Sequence, residues 1–505
     1  MLFSSSHIQT QAQSYAETVL QFSRLSLNGT ARYQGLAGCN VALGGDIASA
    51  STNPAGLGFY TKSEISITPG LNIVNTETTF LRNTNKDGRT APSLGGIGFV
   101  IALPSEKKSK WRGGALAINA TRINQFPFQF SYQGDNKSTS KTDWYADQAR
   151  GIRTGDLENL DVGPNFYPVS TSAYYARLIN PDLVLSNGNP DPNNTTYFTY
   201  VRDANENLFG NINQKGTYRT SGGQTKWSIA YGGNYDDKLF IGMGIGISSL
   251  NYSRNKDYAE KVLSNSSILD NYKERDNLKT SGTGVDANFG LMYRPIEFLR
   301  VGASITSPTF YNVYETFDLT FDTQYYNSQN VLKTATEPTL PGEYNYSYNS
   351  PWRFNAGGSI FIGKYGFFTA EAEYIGYNAM VLRGKNSGDL KADSDFLNRF
   401  IKPVWNYRGA FEFRYDIYRL RAGYNYQANP YTLVDNIDRN IHVFTGGIGI
   451  RKQTYFLEFA LARQSTNSIY QPYVFSASSP YSGKEPIVQI KQVWWSGVIT
   501  FGLHF

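Results

Sequence analysis

Strict alternation of apolar and polar residues recurs along this chain in short runs. Such runs make strands, because successive side chains of a strand point to opposite faces. From Leu299, one face carries Leu299, Val301, Ala303 and Ile305, and the other carries Arg300, Gly302, Ser304 and Thr306. Val285, Ala287, Phe289, Leu291 and Tyr293 alternate with Asp286, Asn288, Gly290 and Arg294. Tyr407, Phe411, Phe413 and Tyr415 alternate with Arg408, Glu412 and Arg414, and Leu457, Phe459 and Leu461 with Glu458, Ala460 and Ala462. Tyr and Phe collect at strand ends, where a barrel in lipid carries its aromatic girdles and a soluble sandwich has no reason to. The pattern predicts an all-β wall with apolar side chains toward lipid and polar ones toward a lumen.

Fourteen strands are expected, near 63–80, 94–103, 111–122, 224–235, 239–252, 282–294, 298–311, 351–362, 366–377, 405–415, 418–426, 441–451, 454–464 and 490–504. Short connections such as Asp236 to Lys238, Pro295 to Glu297 and Lys452 to Gln453 alternate with long ones. The long ones include Leu81 to Ser93 and a stretch of about 100 residues from Ile123 to Gly223. That alternation puts every long loop on one side of a membrane and requires an even strand number.

Before the first strand the chain does not alternate, and its middle is rich in small residues: Gly35, Ala37, Gly38, Ala42, Gly44, Gly45, Ala48, Ser49, Ala50 and Ser51. Inward positions meanwhile carry Lys226, Asp286, Arg300, Glu371, Glu373, Glu412, Arg414, Arg419 and Arg421, which would be costly in a dry, empty tube. A polar hatch folded inside the barrel accounts for both. The expected organisation is a remnant of an export signal at 1–12, with Thr10 and Ala12 as its small residues, a hatch at 13–62, and a 14-stranded antiparallel transmembrane β-barrel at 63–505.

Composition agrees. Aromatic residues are 15% of the 505, with 37 Tyr and 31 Phe beside 48 Gly, a pairing that suits pleated walls better than helices. Mean hydropathy is −0.41, and no run nears the roughly 20 apolar residues of a membrane helix, so a membrane assignment rests on strands. A net charge of +6 without a basic, aromatic-interleaved cluster gives no argument for nucleic acid. Cys39 is the only cysteine, so neither a disulfide nor a thiolate metal site is expected. Leu36-Ala37-Gly38-Cys39 has the form of a lipidation signal, but Arg24, Asn28, Arg32 and Gln34 interrupt the apolar stretch such a signal needs.

Three segments carry a family likeness: Gly29-Thr30-Ala31-Arg32-Tyr33-Gln34-Gly35, Ala42-Leu43-Gly44-Gly45-Asp46 and Ser51-Thr52-Asn53-Pro54-Ala55-Gly56-Leu57. They resemble the hatch of the FadL/TodX outer-membrane transporters, with Asn53, Pro54, Ala55 and Gly56 as the most recognisable element. Ser281-Gly282-Thr283-Gly284, Pro351-Trp352-Arg353-Phe354 and the aromatic end of the last strand match that style more weakly. The resemblance implies a monomer that passes long-chain fatty acids or other hydrophobic small molecules across the outer membrane. It also implies capture among outer loops and sideways release where the third strand is interrupted. Phe126, Pro127, Phe128 and Phe130 lie near that position; Pro127 either interrupts the wall or marks a strand-to-loop transition. Phe501, Leu503 and Phe505 resemble the terminal signal read by the outer-membrane assembly machinery. The long second outer loop departs from better-known members and leaves the ligand open.

Asn53-Pro54 has a structural reading of its own, since proline fixes φ, extends the residue before it, and leaves the Asn amide free to bond nearby backbone. No nucleophile, base or metal cluster accompanies it, so no catalytic residue and no enzyme activity are expected. Gly242, Gly244 and Gly246 alternate with Met243 and Ile245, which is a strand with a bare inner face and not a phosphate loop. Asn180 to Asn194 has acidic residues in no ordered calcium spacing. Part of the resembling branch is labelled hemin receptor, yet His7, His442 and His504 offer no paired axial site, while a tyrosine ligand stays open; no cofactor is expected. The competing reading is a non-transporting accessory barrel of an envelope secretion or assembly complex, with its outer loops as docking surface.

Overall fold

The computed structural model describes residues 15–105, 109–158, 168–338, 342–385, 390–432 and 437–505. The export-signal remnant expected at 1–12, and His7 with it, lie outside the described residues.

Fourteen antiparallel strands close into a barrel. The first seven are β1 Glu64–Phe80, β2 Asn83–Pro104, β3 Trp111–Gln125 continued by Phe128–Asn136, β4 Ile212–Tyr235, β5 Leu239–Val262, β6 Leu269–Ile296, and β7 Leu299–Thr306 continued by Phe310–Tyr326. The circuit goes on with β8 Gly342–Asn349 continued by Arg353–Phe361, and β9 Gly366–Ile375 continued by Val381–Arg383. It ends with β10 Val404–Tyr415, β11 Tyr418–Gln427, β12 Ile441–Arg451, β13 Tyr455–Tyr470 and β14 Val488–His504. β14 pairs with β1 from His504 opposite Glu64 to Val488 opposite Phe80, so the sheet has no free edge there.

The outward sets read from alternation are exposed, apart from Leu299 and Ile305, which are half-buried. On β10, Trp405, Tyr407, Phe411, Phe413 and Tyr415 face outward, and the 11 residues from Trp405 to Tyr415 match the roughly 9–11 a tilted strand needs to cross a bilayer. Tyr374 and Trp405 touch rings at 5.2 Å in the outer girdle, near Trp352, while Tyr365, Tyr415, Tyr418 and Phe505 project at the opposite end. A belt of exposed Ile, Leu, Phe and Trp around the whole wall is stable only in lipid, which makes this a transmembrane barrel of the outer-membrane type.

Several long connections differ from expectation: Ser253 to Ser281 shrinks to the few residues between Val262 and Leu269, and two others change as much. The loop expected at Leu81 to Ser93 is a two-residue turn at Leu81 and Arg82, both with positive φ, followed directly by β2. The loop expected from Ile123 to Gly223 is shorter, because β3 continues to Asn136 and β4 begins at Ile212. The cause is the same in all three. β4, β5 and β6 run for 24, 24 and 28 residues, rising past the bilayer, and above it no lipid demands an apolar outer face, so the alternation fades while the ladder continues.

The N-terminal segment fills the lumen. It comprises α1 Tyr15–Ser23, α2 Ala31–Gly35, and two 3-10 turns, Ile47–Ala50 and Pro54–Phe59. Each of the last three has its start capped by a side chain: Thr30 accepts from Tyr33 N, Asp46 from Ala48 N and Asn53 from Ala55 N. Pro54 sits at the first turn position, where its missing N–H costs nothing.

Candidate functional site

The Asn53-Pro54 corner is seated on a wall stripped of side chains. Gly232, Gly242 and Gly290 are direct cross-strand partners on β4, β5 and β6, all facing inward. A Cβ on Gly232 would come within 2.2 Å of Pro54 O, on Gly242 within 2.3 Å of Pro54 C, and on Gly290 within 1.8 Å of Asn53 Oδ1. Gly302 on β7 is as tight against Val41 O, at 2.0 Å. The Asn53 amide donates to Val41 O at 2.6 Å, and to Leu291 O and Ala303 O at 3.4 Å. Asn53 therefore ties the hatch to itself and to β6 and β7. Of the bare glycine face read from sequence, Gly242 belongs to this receptor, while Gly244 and Gly246 are covered by Asn288 and Lys226 of the wall.

Polar side chains of the wall hold the rest of the hatch by its backbone. Arg300 donates to Leu43 O at 3.0 Å and lies between the rings of Phe59 and Phe361, 4.3 Å from each centroid. Glu371 accepts from Asn40 N and Val41 N. Arg408 donates to Gly38 O, Asn425 to Ala37 O and Thr445 to Gly35 O, at 3.2, 3.2 and 3.1 Å. The inward charges also pair with one another: Lys226 with Asp286, Glu373 with Arg353 and Arg408, and Glu412 and Glu458 with Arg421 between them. Pairing and hatch contacts together offset the cost of burying these groups, so the charged lumen is a hatch receptor as much as a watery channel.

Above the hatch, α1 lies in an apolar chamber. Ala16, Val19, Leu20 and Phe22 pack against Leu250, Tyr252, Tyr311, Tyr346 and Tyr348, and Phe22 meets Phe126 and Tyr252 at 5.4 and 5.3 Å. Beside α1 a cavity of about 160 Å³ is lined by Arg122, Lys226, Asp286, Arg353, Glu373 and Arg408, among others.

The outer mouth is closed by the second loop, which the competing sequence reading cast as a docking surface. Its helix α3, Lys141–Ala149, starts with a capping box of Ser140 and Asp143. Glu260 of β5 accepts from Ser140 Oγ and, at 2.8 Å, from Lys141 N, while Glu274 of β6 accepts from Lys141 Nζ and, at 2.6 Å, from Tyr145 OH. Tyr145, Leu157, Leu178 and Val201 of the loop then pack against Phe130, Tyr132, Tyr218 and Tyr473. The Ser140-to-Asp143 spacing was the one visible signal of this helix.

At the interrupted third strand, the wall is doubled. Phe128–Asn136 pairs with β4, and its other edge is held by side chains: Thr76 and Thr78 of β1 donate to Gln129 O and Ser131 O at 2.7 and 2.6 Å, and Asp87 of β2 accepts from Ser131 N at 2.7 Å. Phe126, Pro127 and Phe130 are buried and Phe128 is half-buried. At the chain's end, Phe501, Leu503 and Phe505 are exposed on the lipid face, and Phe505 exchanges backbone bonds with Ser63 at 3.0 Å. His442 accepts or donates at Tyr424 OH, 2.8 Å away, and His504 meets Glu64 at 3.2 Å, so the two histidines are spent separately.

A closed barrel with a hatch seated in its lumen defines the class as a hatch-bearing transmembrane β-barrel. No family model and no curated protein matches the chain. Among solved structures, it is similar to a FadL homologue of Pseudomonas aeruginosa, at 10% identity and a TM-score of 0.53, over 95% of this chain and 99% of that one. It is likewise similar to the toluene transporter TodX of Pseudomonas putida, at 10% identity and a TM-score of 0.51, over 95% and 99%. The chain has the fold of these FadL/TodX transporters.

Proposed function

We propose that this chain is a passive outer-membrane conduit for hydrophobic small molecules, long-chain fatty acids among them, gated by its hatch. The observation that carries this reading is the tyrosine-rich apolar chamber occupied by α1 inside a closed wall. A ligand that replaces α1 recovers its burial at about 25 cal/mol per Å² of apolar surface. The cavity beside it, about 160 Å³, is lined by charged as well as apolar side chains and suits the polar end of a ligand. A long chain needs the α1 seat as well. That TodX, with the same fold, is a toluene transporter supports the ligand class. The second loop is spent closing the barrel's own mouth, which favours a conduit over an accessory subunit with its loops as docking surface.

Release sideways at Phe126, Pro127, Phe128 and Phe130 belongs to the same proposal: the ladder between the upper halves of β2 and β3 is missing, and only side chains span it. Phe501, Leu503 and Phe505 serve recognition by the assembly machinery, and removing Phe505 is expected to lower the folded, heat-modifiable fraction in gels without changing ligand affinity.

The test is equilibrium binding of a labelled long-chain fatty acid to detergent-purified protein, beside Asn53→Ala with Pro54→Ala. Saturable binding is expected, with affinity shifted by roughly tenfold in the variant, since a buried hydrogen-bonded amide and a fixed φ are lost together. Binding no stronger than that of an unrelated barrel sinks the fatty-acid reading.

A further inference from the structure

The ladder of three neighbouring strands thins at one height. On the lower rung Thr306 pairs with Arg353, and Arg353 with Ile375; on the upper, Phe310 pairs with Asn349, and Asn349 with Val381. Between those rungs β7 runs through Ser307, Pro308 and Thr309, β8 through Ser350, Pro351 and Trp352, and β9 through the 3-10 turn that follows Gly376. The two prolines have no N–H to give. Side chains stand in for part of the ladder, Thr309 N donating to Ser350 Oγ at 2.8 Å and, toward β6, Ala287 N to Ser307 Oγ at 3.0 Å; the backbone bonds that remain are Ser350 N to Thr309 O at 3.0 Å, Gly376 N to Trp352 O at 3.3 Å and Ser307 N to Ala287 O at 2.9 Å. The space beside Gly376 is open, for a Cβ there would meet nothing within 4 Å.

The two sides of this seam differ in chemistry. Inward it borders the lumenal cavity, whose lining includes Ser307, Thr309, Ser350, Pro351, Ile375 and Tyr377. Outward stand exposed Phe310, Trp352 and Trp405, at the height of the outer girdle. Hydroxyls at the seam suit a polar end group, and the rings outside suit an apolar tail. The interrupted β3 is a different place, one strand wide and packed shut by Phe126 and Phe130.

We infer that the seam across β7, β8 and β9 is a second side portal, through which a single-chain amphiphile passes between the lumenal cavity and the outer leaflet at headgroup height. The inference rests on the conduit reading. Opening requires breaking two backbone bonds, Ser350 N to Thr309 O and Gly376 N to Trp352 O, and the hydroxyl-mediated bond at Ser350, where elsewhere an uninterrupted backbone ladder would have to part.

The test uses the full chain in lipid vesicles with dansyl-undecanoic acid as probe. Thr309→Cys with Ser350→Cys places two thiols on adjacent strands, and buried Cys39 stays apart from them. Oxidation is expected to slow stopped-flow exchange of bound probe with the bilayer roughly tenfold, reversed by reductant, and affinity measured in both redox states of the same variant separates a blocked path, which alters rates, from a changed site, which alters end states. Gly376→Trp, which fills the open space without backbone strain, is expected to slow exchange in the same direction. Exchange indifferent to both changes, in protein that binds the probe, overturns the portal alone. Absence of saturable binding with the thiols reduced overturns the conduit reading and takes the portal with it.

Discussion

Gly290→Leu is expected to turn a sealed barrel into a conducting one. Its first added carbon falls 1.8 Å from Asn53 Oδ1 and 3.1 Å from Pro54 Cδ, with the cross-strand glycines Gly242 and Gly232 already in contact with Pro54. The corner cannot retreat sideways. Overpacking of this kind costs about 1–3 kcal/mol, and an Asn53 amide pulled off Val41 O adds about 1–3 kcal/mol for a buried donor left unpaired. Even ~3 kcal/mol is about a hundredfold change in the ratio of seated to unseated hatch. Single-channel recording in planar bilayers checks it: the unmodified barrel should be nearly silent and Gly290→Leu should show frequent open steps. Gly409→Ala is the control, because its added carbon comes no closer than 4.0 Å to Thr369 O. Silence in both would mean that the outer lid seals the pore and the hatch corner does not.

The lipid-embedded part of every strand was legible because lipid enforces a two-residue period there. The wall above the bilayer was not. Thr84, Lys86, Asp87 and Arg89 on β2 have water or polar neighbours on both sides, so nothing in their order distinguishes a ladder from a loop. The hatch corner was legible from Asn53-Pro54, and one of the three glycines of its receptor from the bare face at Gly242. What sequence does not carry is the register that sets Gly232, Gly242 and Gly290 in one row across three strands, two of which run far above the bilayer before they turn back. Inward Glu and Arg were correctly placed, but their partners lie on neighbouring strands or on the hatch backbone, and periodicity is silent about which. The lid escaped for a similar reason: Ser140 and Asp143 announce a helix start, whereas the acceptors that draw that helix into the barrel, Glu260 and Glu274, sit on strands whose upper halves had themselves read as loop.

Glu274→Ala is expected to free that lid while leaving the barrel standing. The carboxylate accepts from Lys141 Nζ and Tyr145 OH, and Lys141 is enclosed by the rings of Trp144, Tyr145 and Tyr258 at 5.6, 5.6 and 4.9 Å. Once Glu274 is gone, the ammonium keeps its desolvation cost without its nearest counter-charge, a loss of about 3–5 kcal/mol for a broken buried pair. That cost falls on lid closure, since an open α3 rehydrates Lys141 while β6 keeps its ladder to β5 and β7. Amide hydrogen exchange over 141–149 should therefore quicken by about 10²–10³-fold, with β10 unchanged as internal reference. Glu274→Gln, which still accepts from both donors but carries no charge, should fall between. If protection of α3 survives Glu274→Ala, then the apolar seat of Tyr145 and Ala149 holds the lid by itself, and the buried carboxylate sets only where α3 docks, not whether it stays.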